Sequence, residues 1–511
     1  MQVLCKESIC IRRSLSRAPL LLREPSFTSP FYISYPTRPH YTHAQRTAIP
    51  PPPTMAFFRS VLAQMIICGM IALLGPGLWN ANNSLGAGGA LLPYLVNGGN
   101  SLVFGLMGLF CILSPIFVNW IGVKRTLIAG TLGWSVYSAA LYQNNRFGTE
   151  WFVMLGAAIC GISAGLYWAA EGSIVLSYPE HAKRGRYLAL WLGFKNSGQL
   201  IGGAINLGLN ADRSTGGKVS WVTLLIFVIL QACALPLAFL LSPPEKTNRS
   251  DGTKIVVESQ TTTREQFRLL WKTITTRQIG LLLPVFFASW FYWGYASTFL
   301  TLYFSVRARA LASFLSAITG TIACTIFGFF LDSQKFSVKF RIRFGFLLSC
   351  GMFTLMWIWV LIVQHQWEGR LDKLDWSSPG FGKGFGMYIM LGTIGNMVQN
   401  YLYFLIGTVG DGTSELSRGT GLLRGVESWG QCASFGISSS KFSPFWTTVI
   451  NVVFWTVSLV PASFAIWEVE DRRKLDQERL GELEGGVASI TSDESIGKGG
   501  ETVSEKVSEA K

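Results

Sequence analysis

Charged residues are scarce in this sequence, and their scarcity argues against a soluble fold. Only 14% of the 511 residues are charged, whereas soluble globular domains average about 25%. Histidine is scarcer still: the chain has four, and two of them, His40 and His43, fall within the first 54 residues. The sequence therefore offers little material for a histidine-based metal site or a catalytic triad.

Several motifs are absent, and each absence excludes a class of protein. The nine cysteines include no C-x-x-C pair, so they support neither a zinc site nor a disulfide framework. No G-x-x-x-x-G-K-[ST] segment occurs, which argues against an ATP-driven pump. Paired aspartates and a Ser/His arrangement are also lacking. We predict no cofactor, no metal site, no catalytic residue and no enzymatic activity.

Long apolar runs take the place of these features. Residues 225–242 and 344–363 are typical, and each is close to the roughly 20 residues that a helix needs to cross a bilayer. The runs do not alternate apolar and polar residues, so they indicate helices rather than a barrel. The sequence predicts an all-α membrane protein with about 12 transmembrane helices, at residues 57–78, 98–119, 126–143, 152–175, 187–209, 219–241, 278–302, 310–331, 343–363, 384–407, 418–439 and 445–467.

A polar stretch at residues 242–277 divides these spans into two halves of six, 55–241 and 278–467. Within it Phe267, Leu270, Trp271 and Ile274 follow helical spacing, which predicts a cytosolic linker with an amphipathic helix on the membrane surface. Residues 1–54 are interpreted as a transit-type leader, as a disordered extension, or as an upstream start with Met55 as the true initiator. Residues 468–511 are predicted to form a disordered cytosolic tail.

The distribution of basic residues predicts the topology. Loops on one predicted side carry 21 Lys and Arg residues and loops on the other carry nine, which places both termini in the cytosol. The net charge of +14 is accordingly assigned to topology and not to nucleic-acid binding. The lipid bilayer is the predicted partner, and the sequence leaves open which membrane it is.

Two pairs of segments indicate an internal repeat. Gly193, Gly198 and Gln199 of "GFKNSGQ" match Gly425, Gly430 and Gln431 of "GVESWGQ" at equivalent positions in the halves. The loops "NWIGVKRTL" and "LDSQKFSVKFRIR" resemble the inner-loop motif of the major facilitators. The gating-loop candidates are Asn119, Lys124, Arg125, Asp332 and Lys335.

Several blocks resemble the Unc-ninety-three-like family, a branch of the major facilitator superfamily with many fungal members. They include "GLWNANNSLGAGG", "LYWAAEGSIVLSYPE", "GRYLALWLGFKNSGQLIGGAINLGLN", "LSPPEKTNRSDGTKI" and "LPVFFASWFYWGYASTF", and the likeness runs over most of residues 57–467. The resemblance implies a major facilitator fold of two six-helix pseudo-repeats. It leaves activity open, because members of the family include a potassium-channel regulator and a receptor-trafficking adaptor. Glu171 stands where the family often has Gln.

Ionisable and strongly polar residues inside spans are costly and therefore mark candidate sites. Glu171 and Lys195 lie at similar depth in consecutive spans, so we predict an ion pair that either engages a solute or proton or holds two helices together. Arg424 and Glu427 are spaced for a pair on one helix. The substrate-binding candidates are Glu171, Lys195, Asn396, Gln399, Asn400, Tyr403, Glu427, Trp290 and Trp293.

Two functions fit these patterns. The first is a transporter that moves an unidentified small solute by alternating access. The second is an accessory protein, of the ion-channel-regulator type, that regulates or traffics another membrane protein without transporting anything. A polar span and a charged cavity favour the transporter, because a scaffold would not require them.

Overall fold

The computed structural model describes residues 57–180, 183–253, 255, 262–333, 335–409 and 413–469. Within these residues no strand forms, and only two isolated β-bridges occur. The predictions for residues 1–54 and for residues 470–511 lie outside the described part. The α-helices are α1 Val61–Ala72, α2 Leu78–Asn83, α3 Tyr94–Ile121, α4 Val123–Phe147, α5 Trp151–Ser177, α6 Arg184–Asn210, α7 Trp221–Ala232, α8 Ala234–Leu240, α9 Thr263–Thr275, α10 Arg277–Ser289, α11 Tyr292–Tyr303, α12 Val306–Asp332, α13 Val338–Gln366, α14 Phe381–Val409, α15 Thr413–Ser439 and α16 Pro444–Trp467.

The helices make this an integral membrane protein that crosses the bilayer several times. Within the described residues, eight helical segments are long and apolar enough to span a membrane. Each overlaps a predicted span. The other four predicted spans correspond to α4, α6, α14 and α15, which have 25 to 29 residues but are more polar. The all-α membrane fold is confirmed, and the count of 12 stays a prediction.

Three of the spanning segments are interrupted, one of them at Cys233 between α7 and α8. Between α1 and α2 the chain makes a π-helical turn, Leu73–Gly77, that contains Pro76. Proline has no N–H to donate, so the regular hydrogen-bond ladder is interrupted there. Between α10 and α11 the break falls at Trp290 (φ −115°, ψ 8°). Such breaks are tolerated in a membrane only where neighbouring helices surround the backbone.

One of the two glycine pairs matched in the sequence repeat, Gly198 and Gly430, makes equivalent close contacts. A side chain at Gly198 of α6 would collide with the carbonyl of Leu73 in the broken first segment. A side chain at Gly430 of α15 would collide with the carbonyl of Phe287 in α10. Small residues of this kind let helix backbones approach each other. Each glycine thus brings the penultimate segment of its half against the first one.

Two hydrophobic cores lie side by side. The first consists mainly of residues between Val61 and Ile255, and the second of residues between Leu282 and Ile466. Val306, Ala310 and Phe435 come from the later part of the chain but join the first core. Large apolar side chains also cover the outer surface of the bundle. An apolar outer surface is expected for helices whose outer faces contact lipid.

The linker contains the amphipathic helix that the sequence predicts. Helix α9 begins after Thr262, whose side chain accepts a hydrogen bond from the backbone N–H of Glu265 (3.3 Å). Phe267 and Trp271 on its apolar face are exposed. Helix α9 lies at one end of the bundle, where Phe267 and Leu270 also line the central cavity.

Candidate functional site

A large cavity of about 1220 Å³ runs between the two cores. Helices α3, α5 and α6 form one wall, and α12, α14 and α15 form the other. The cavity extends to the end of the bundle where α9 lies, and its lining there includes Ser177 and Asp332, the last residues of α5 and α12. We call this the open end. The polar residues deeper in the cavity include most of the predicted site.

Glu171 on α5 lines the cavity and is only 1% exposed. Its Oε1 accepts hydrogen bonds from the hydroxyl of Tyr167, one turn earlier, and from the indole Nε1 of Trp191 on α6 (2.7 Å). Its Oε2 has no hydrogen-bond partner among the described residues. The carboxylate is therefore held by one oxygen, and the other is buried without a partner among these residues.

The predicted ion pair between Glu171 and Lys195 is not formed. Ion pairs within 4.0 Å among the described residues do not include one between these two side chains. The ammonium of Lys195 instead lies 4.9 Å from the ring centroid of Trp168 and 5.7 Å from that of Trp191. The prediction was wrong: two hydrogen bonds hold Oε1 of Glu171, and two aromatic faces attract the Lys195 ammonium.

The second charged pair does form. Arg424 and Glu427 make an ion pair one turn apart on α15, and the Glu427 side chain is fully buried. The side-chain amide of Gln399 on α14 donates to both carboxylate oxygens of Glu427, at 2.9 and 3.2 Å. The guanidinium of Arg424 also lies 4.6 Å from the ring centroid of Trp168. Trp168 therefore contacts cations from both halves.

The polar stripe predicted on α14 faces the cavity. Asn396, Gln399, Asn400 and Tyr403 all contribute to its lining. Asn400 donates to the backbone carbonyl of Cys324 on α12 (3.2 Å). The two tryptophans predicted as stacking residues lie elsewhere. Trp290 and Trp293 pack edge to face at the break between α10 and α11 (5.5 Å), outside the cavity lining.

The gating-loop candidates divide into two groups. Asn119 and Asp332 line the open end of the cavity. Lys124 donates to the backbone carbonyl of Phe239 (2.9 Å), and Arg125 and Lys335 are exposed. Only the first group is placed where opening or closing of the cavity would alter its contacts.

The opposite end of the cavity is sealed by hydrogen bonds between the halves. Arg309 near the start of α12 is 1% exposed, and its guanidinium donates to the backbone carbonyls of Leu85 and Gly86 (both 2.7 Å) and of Ala90 (3.0 Å) and Gly217 (3.3 Å). The positive φ of Gly86, +72°, helps turn this loop toward the arginine. We call this the sealed end.

Three polar contacts reinforce the sealed end. Asn97 donates to Thr298 Oγ1 (2.8 Å) and to the carbonyl of Ser438 (3.0 Å). The backbone N–H of Ala87 donates to Ser297 Oγ (2.8 Å). Each joins the first half of the chain to the second, so the two halves are locked at one end and separated by the cavity at the other.

Sequence reasoning missed the aromatic partners and the sealing arginine. Trp168 precedes Glu171 by three residues and Trp191 precedes Lys195 by four, and this spacing places each pair on one helix face. These spacings could have been recognised from the sequence. Arg309 was counted only as an outer-loop charge, although it stands in a helix of small and apolar residues.

A loop outside the spans carries a strongly bound carboxylate at the sealed end. Asp375 accepts hydrogen bonds from Arg307 Nε (2.7 Å) and from the hydroxyls of Ser305 (2.7 Å) and Ser377 (2.9 Å). The Arg307 guanidinium, followed by these hydroxyls, holds the pKa of the Asp375 carboxyl well below its usual range. The contacts fix the loop between α13 and α14 to the start of α12.

This lowered pKa gives a pH prediction. A carboxylate with a folded pKa below its unfolded value of about 3.9 contributes stability above that value and loses it as pH falls through the folded pKa. The Tm advantage of the natural chain over Asp375→Asn should therefore be constant from neutral pH down to about 5 and shrink below about 4. Asp372→Asn is the control, since Asp372 is exposed and its ion pair among the described residues is with Arg370, two residues away. An advantage that does not change with pH would contradict the assignment.

The comparisons with known proteins agree with this geometry. The sequence model of the Major Facilitator Superfamily matches residues 60–435. The chain belongs to the major facilitator superfamily. Within the described residues, no group of three or more His, Cys, Asp or Glu side chains is arranged to hold a metal ion.

Relatives within the superfamily confirm the resemblance seen in the sequence. The chain is 35% identical over 423 residues to the Notoamide biosynthesis cluster protein O' of Aspergillus versicolor, covering 82% of this chain and 92% of that protein. It is 28% identical to an UNC93-like protein of Schizosaccharomyces pombe (80% and 83% covered) and 29% identical to UNC93-like protein 1 of Arabidopsis thaliana (78% and 89% covered).

Solved structures of transporters share the fold. The peptide transporter POT in complex with sulfate superimposes with a TM-score of 0.57 at 11% identity, covering 79% of this chain and 93% of that one. The D323A mutant of the nucleoside transporter NupG gives 0.52 at 13% identity, with 80% and 100% covered. At such identities the likeness shows the fold alone. The chain is a transporter-type membrane protein of the major facilitator superfamily.

Proposed function

We propose that the chain carries a small organic solute across its membrane by alternating access, without catalysing a chemical reaction. The observation that supports this most strongly is the asymmetry of the bundle. Charged and polar side chains line a cavity that extends to one end, and hydrogen bonds between the halves seal the other end. Alternating access requires these two ends to exchange roles around a fixed site.

We assign solute binding to the polar cluster in the middle of the cavity. Glu171 and Lys195 come from the first half, and Gln399 and Arg424 come from the second. Glu427, also predicted as a binding residue, is fully buried outside the lining and contacts Gln399 and Arg424. A solute bound among the lining residues would contact both halves, as the rocking of one half against the other requires. The name of the Aspergillus versicolor relative, which refers to a biosynthesis cluster, supports an organic solute.

Uptake by the purified chain tests the proposal. Proteoliposomes that contain the full chain are incubated with a library of small organic compounds, and their contents are identified by mass spectrometry. We expect at least one compound to accumulate with the natural chain and not with Gly198→Leu, which forces a side chain into the contact with Leu73. Sustained absence of uptake would favour the accessory function, in which the partner is another membrane protein.

The orientation is a further part of the proposal. The excess of basic residues places both termini and the linker before α9 on the cytosolic side. In a variant without its nine native cysteines, Lys246→Cys should react with an impermeant maleimide in sealed vesicles whose cytosolic face is outward. Leu371→Cys, at a position that is 92% exposed in the loop after α13, should react only after permeabilisation. The reverse pattern would invert the topology.

A further inference from the structure

Lys195 is a cation in the cavity whose donors are not used by the described part of the protein. A lysine ammonium carries three hydrogen-bond donors and no acceptor. The contacts of this one are with the faces of Trp168 and Trp191. A ring face attracts the positive charge but does not replace an anionic acceptor. The ammonium is therefore available to a ligand.

Arg424 provides a second unused donor beside the same ring. One of its terminal nitrogens is taken by Glu427, but its Nε is buried and has no hydrogen-bond partner among the described residues. Its guanidinium carbon is 4.6 Å from the ring centroid of Trp168, and the Lys195 ammonium is 4.9 Å from it. Two cations from opposite halves thus flank one indole ring with N–H groups to spare.

The acidic side chains in the cavity are mostly satisfied. Both oxygens of Glu427 accept hydrogen bonds, and Oε1 of Glu171 accepts two. Of these two carboxylates, Glu171 has one oxygen, Oε2, that lacks a partner among the described residues. Among these four charged side chains, the unused donors of Lys195 and Arg424 outnumber the one unused carboxylate oxygen, which favours an anionic ligand. The two acids also balance the two bases in formal charge, which favours one negative charge over several.

Aromatic side chains form part of the cavity wall beside the polar stripe on α14. Trp168, Trp191 and Phe404 contribute ring surfaces, and Tyr403 adds a further ring with a polar end. A flat apolar body packs well against such faces. We propose that the cavity binds an organic monoanion, a carboxylate carried on a flat apolar body, and that the ammonium of Lys195 holds the carboxylate, with the positive charge of Arg424 beside it. The inference rests on the proposed function and names its substrate class.

Four compounds that share an indole ring and differ in charge test this inference. Binding of indole-3-acetate, indole-3-acetamide, tryptamine and tryptophan to the purified full chain is measured by isothermal titration and by Tm. A hydrogen-bonded charge contact corresponds to about tenfold or more in Kd. We expect indole-3-acetate to bind at least about tenfold more tightly than the neutral acetamide, and tryptamine to bind worst.

Variants of Lys195 test whether the preference for the acetate over the acetamide depends on the positive charge of this side chain. Lys195→Gln should abolish the difference between acetate and acetamide, and Lys195→Arg should keep it. Lys246→Gln, which removes an exposed lysine far from the cavity lining, should change nothing. The inference is overturned by tighter binding of tryptamine, by a preference for the acetate that survives in Lys195→Gln, or by no binding of the acetate at all.

These experiments distinguish a failure of the proposed substrate class from a failure of the proposed transport function. Flux of some other compound in proteoliposomes, together with no preference for the carboxylate, would reject the substrate class and leave the transporter in place. Lys195-dependent binding of the acetate without flux of any compound would keep the site and reject transport.

Discussion

Replacing Arg309 with methionine is expected to open the sealed end of the cavity. The guanidinium donates to four backbone carbonyls, three in the loop after α2 and one in the loop before α7. Hydrogen bonds from a charged donor contribute about 1.5–3 kcal/mol each. Losing several of them should shift the equilibrium between the closed and open forms of this end by about tenfold or more, because about 1.4 kcal/mol corresponds to a factor of ten.

The native cysteine Cys324 reports on this change because it lines the cavity. In a variant where Cys324 is the only cysteine, an impermeant maleimide should react from the open end and not from the sealed end. Adding Arg309→Met should raise the rate of reaction from the sealed end by about tenfold or more. A lysine at position 309 keeps the charge and should give an intermediate rate.

Arg307→Met is the matched control for this experiment. Arg307 lies two residues away, but its side chain pairs with Asp375 and Trp376 in its own half of the chain. Its loss should weaken the loop without separating the halves at the sealed end. Equal rates from the sealed end in the natural chain and in Arg309→Met would show that the arginine does not close the cavity.

The second large effect is expected at Arg424 and Glu427. Removing one partner of a buried ion pair leaves a stranded charge and costs about 3–5 kcal/mol. Arg424→Met alone should therefore sharply reduce the yield and Tm of folded protein, since Glu427 is fully buried. The double change Arg424→Met with Glu427→Gln removes both charges and should recover much of the loss, while Gln399 can still donate to the new amide.

A second double-mutant cycle provides a coupling energy for comparison with that of Arg424 and Glu427. Glu171→Gln and Lys195→Met remove charges at a similar depth, but these two side chains share no ion pair. Their coupling energy should be below about 1 kcal/mol, against about 2 kcal/mol or more for Arg424 and Glu427. Equal coupling in the two cycles would contradict the assigned contacts, and a larger value for Glu171 and Lys195 would restore the predicted ion pair.

The helices and the direction of the polar side chains followed from the sequence. Runs of about 20 apolar residues can satisfy their backbone in a bilayer only as helices. Polar side chains within those runs have to face protein or water, which is why the stripe on α14 and Glu171 proved to lie at the cavity. The ion pair of Arg424 and Glu427 was predictable because it depends on spacing along one helix.

Contacts between helices were not predictable in the same way. Whether Glu171 meets Lys195 depends on how α5 and α6 are rotated about their axes, and the sequence does not specify that rotation. The aromatic cluster of Trp290 and Trp293 illustrates the same limit, because its composition fits a binding surface and a packed helix break equally well. Arg309 was missed because its acceptors are backbone carbonyls. Every residue has a backbone carbonyl, so the residue types do not indicate these acceptors.

Counterflow tests carrier-type transport most directly. Proteoliposomes with the natural chain are loaded with an unlabelled compound that the uptake screen identifies, and entry of the labelled compound from outside is followed. A binding site that alternates between the two sides returns faster when it is occupied, so internal compound should accelerate entry several-fold. A rate of entry that does not depend on the internal compound, or no entry of any compound, would contradict transport by alternating access.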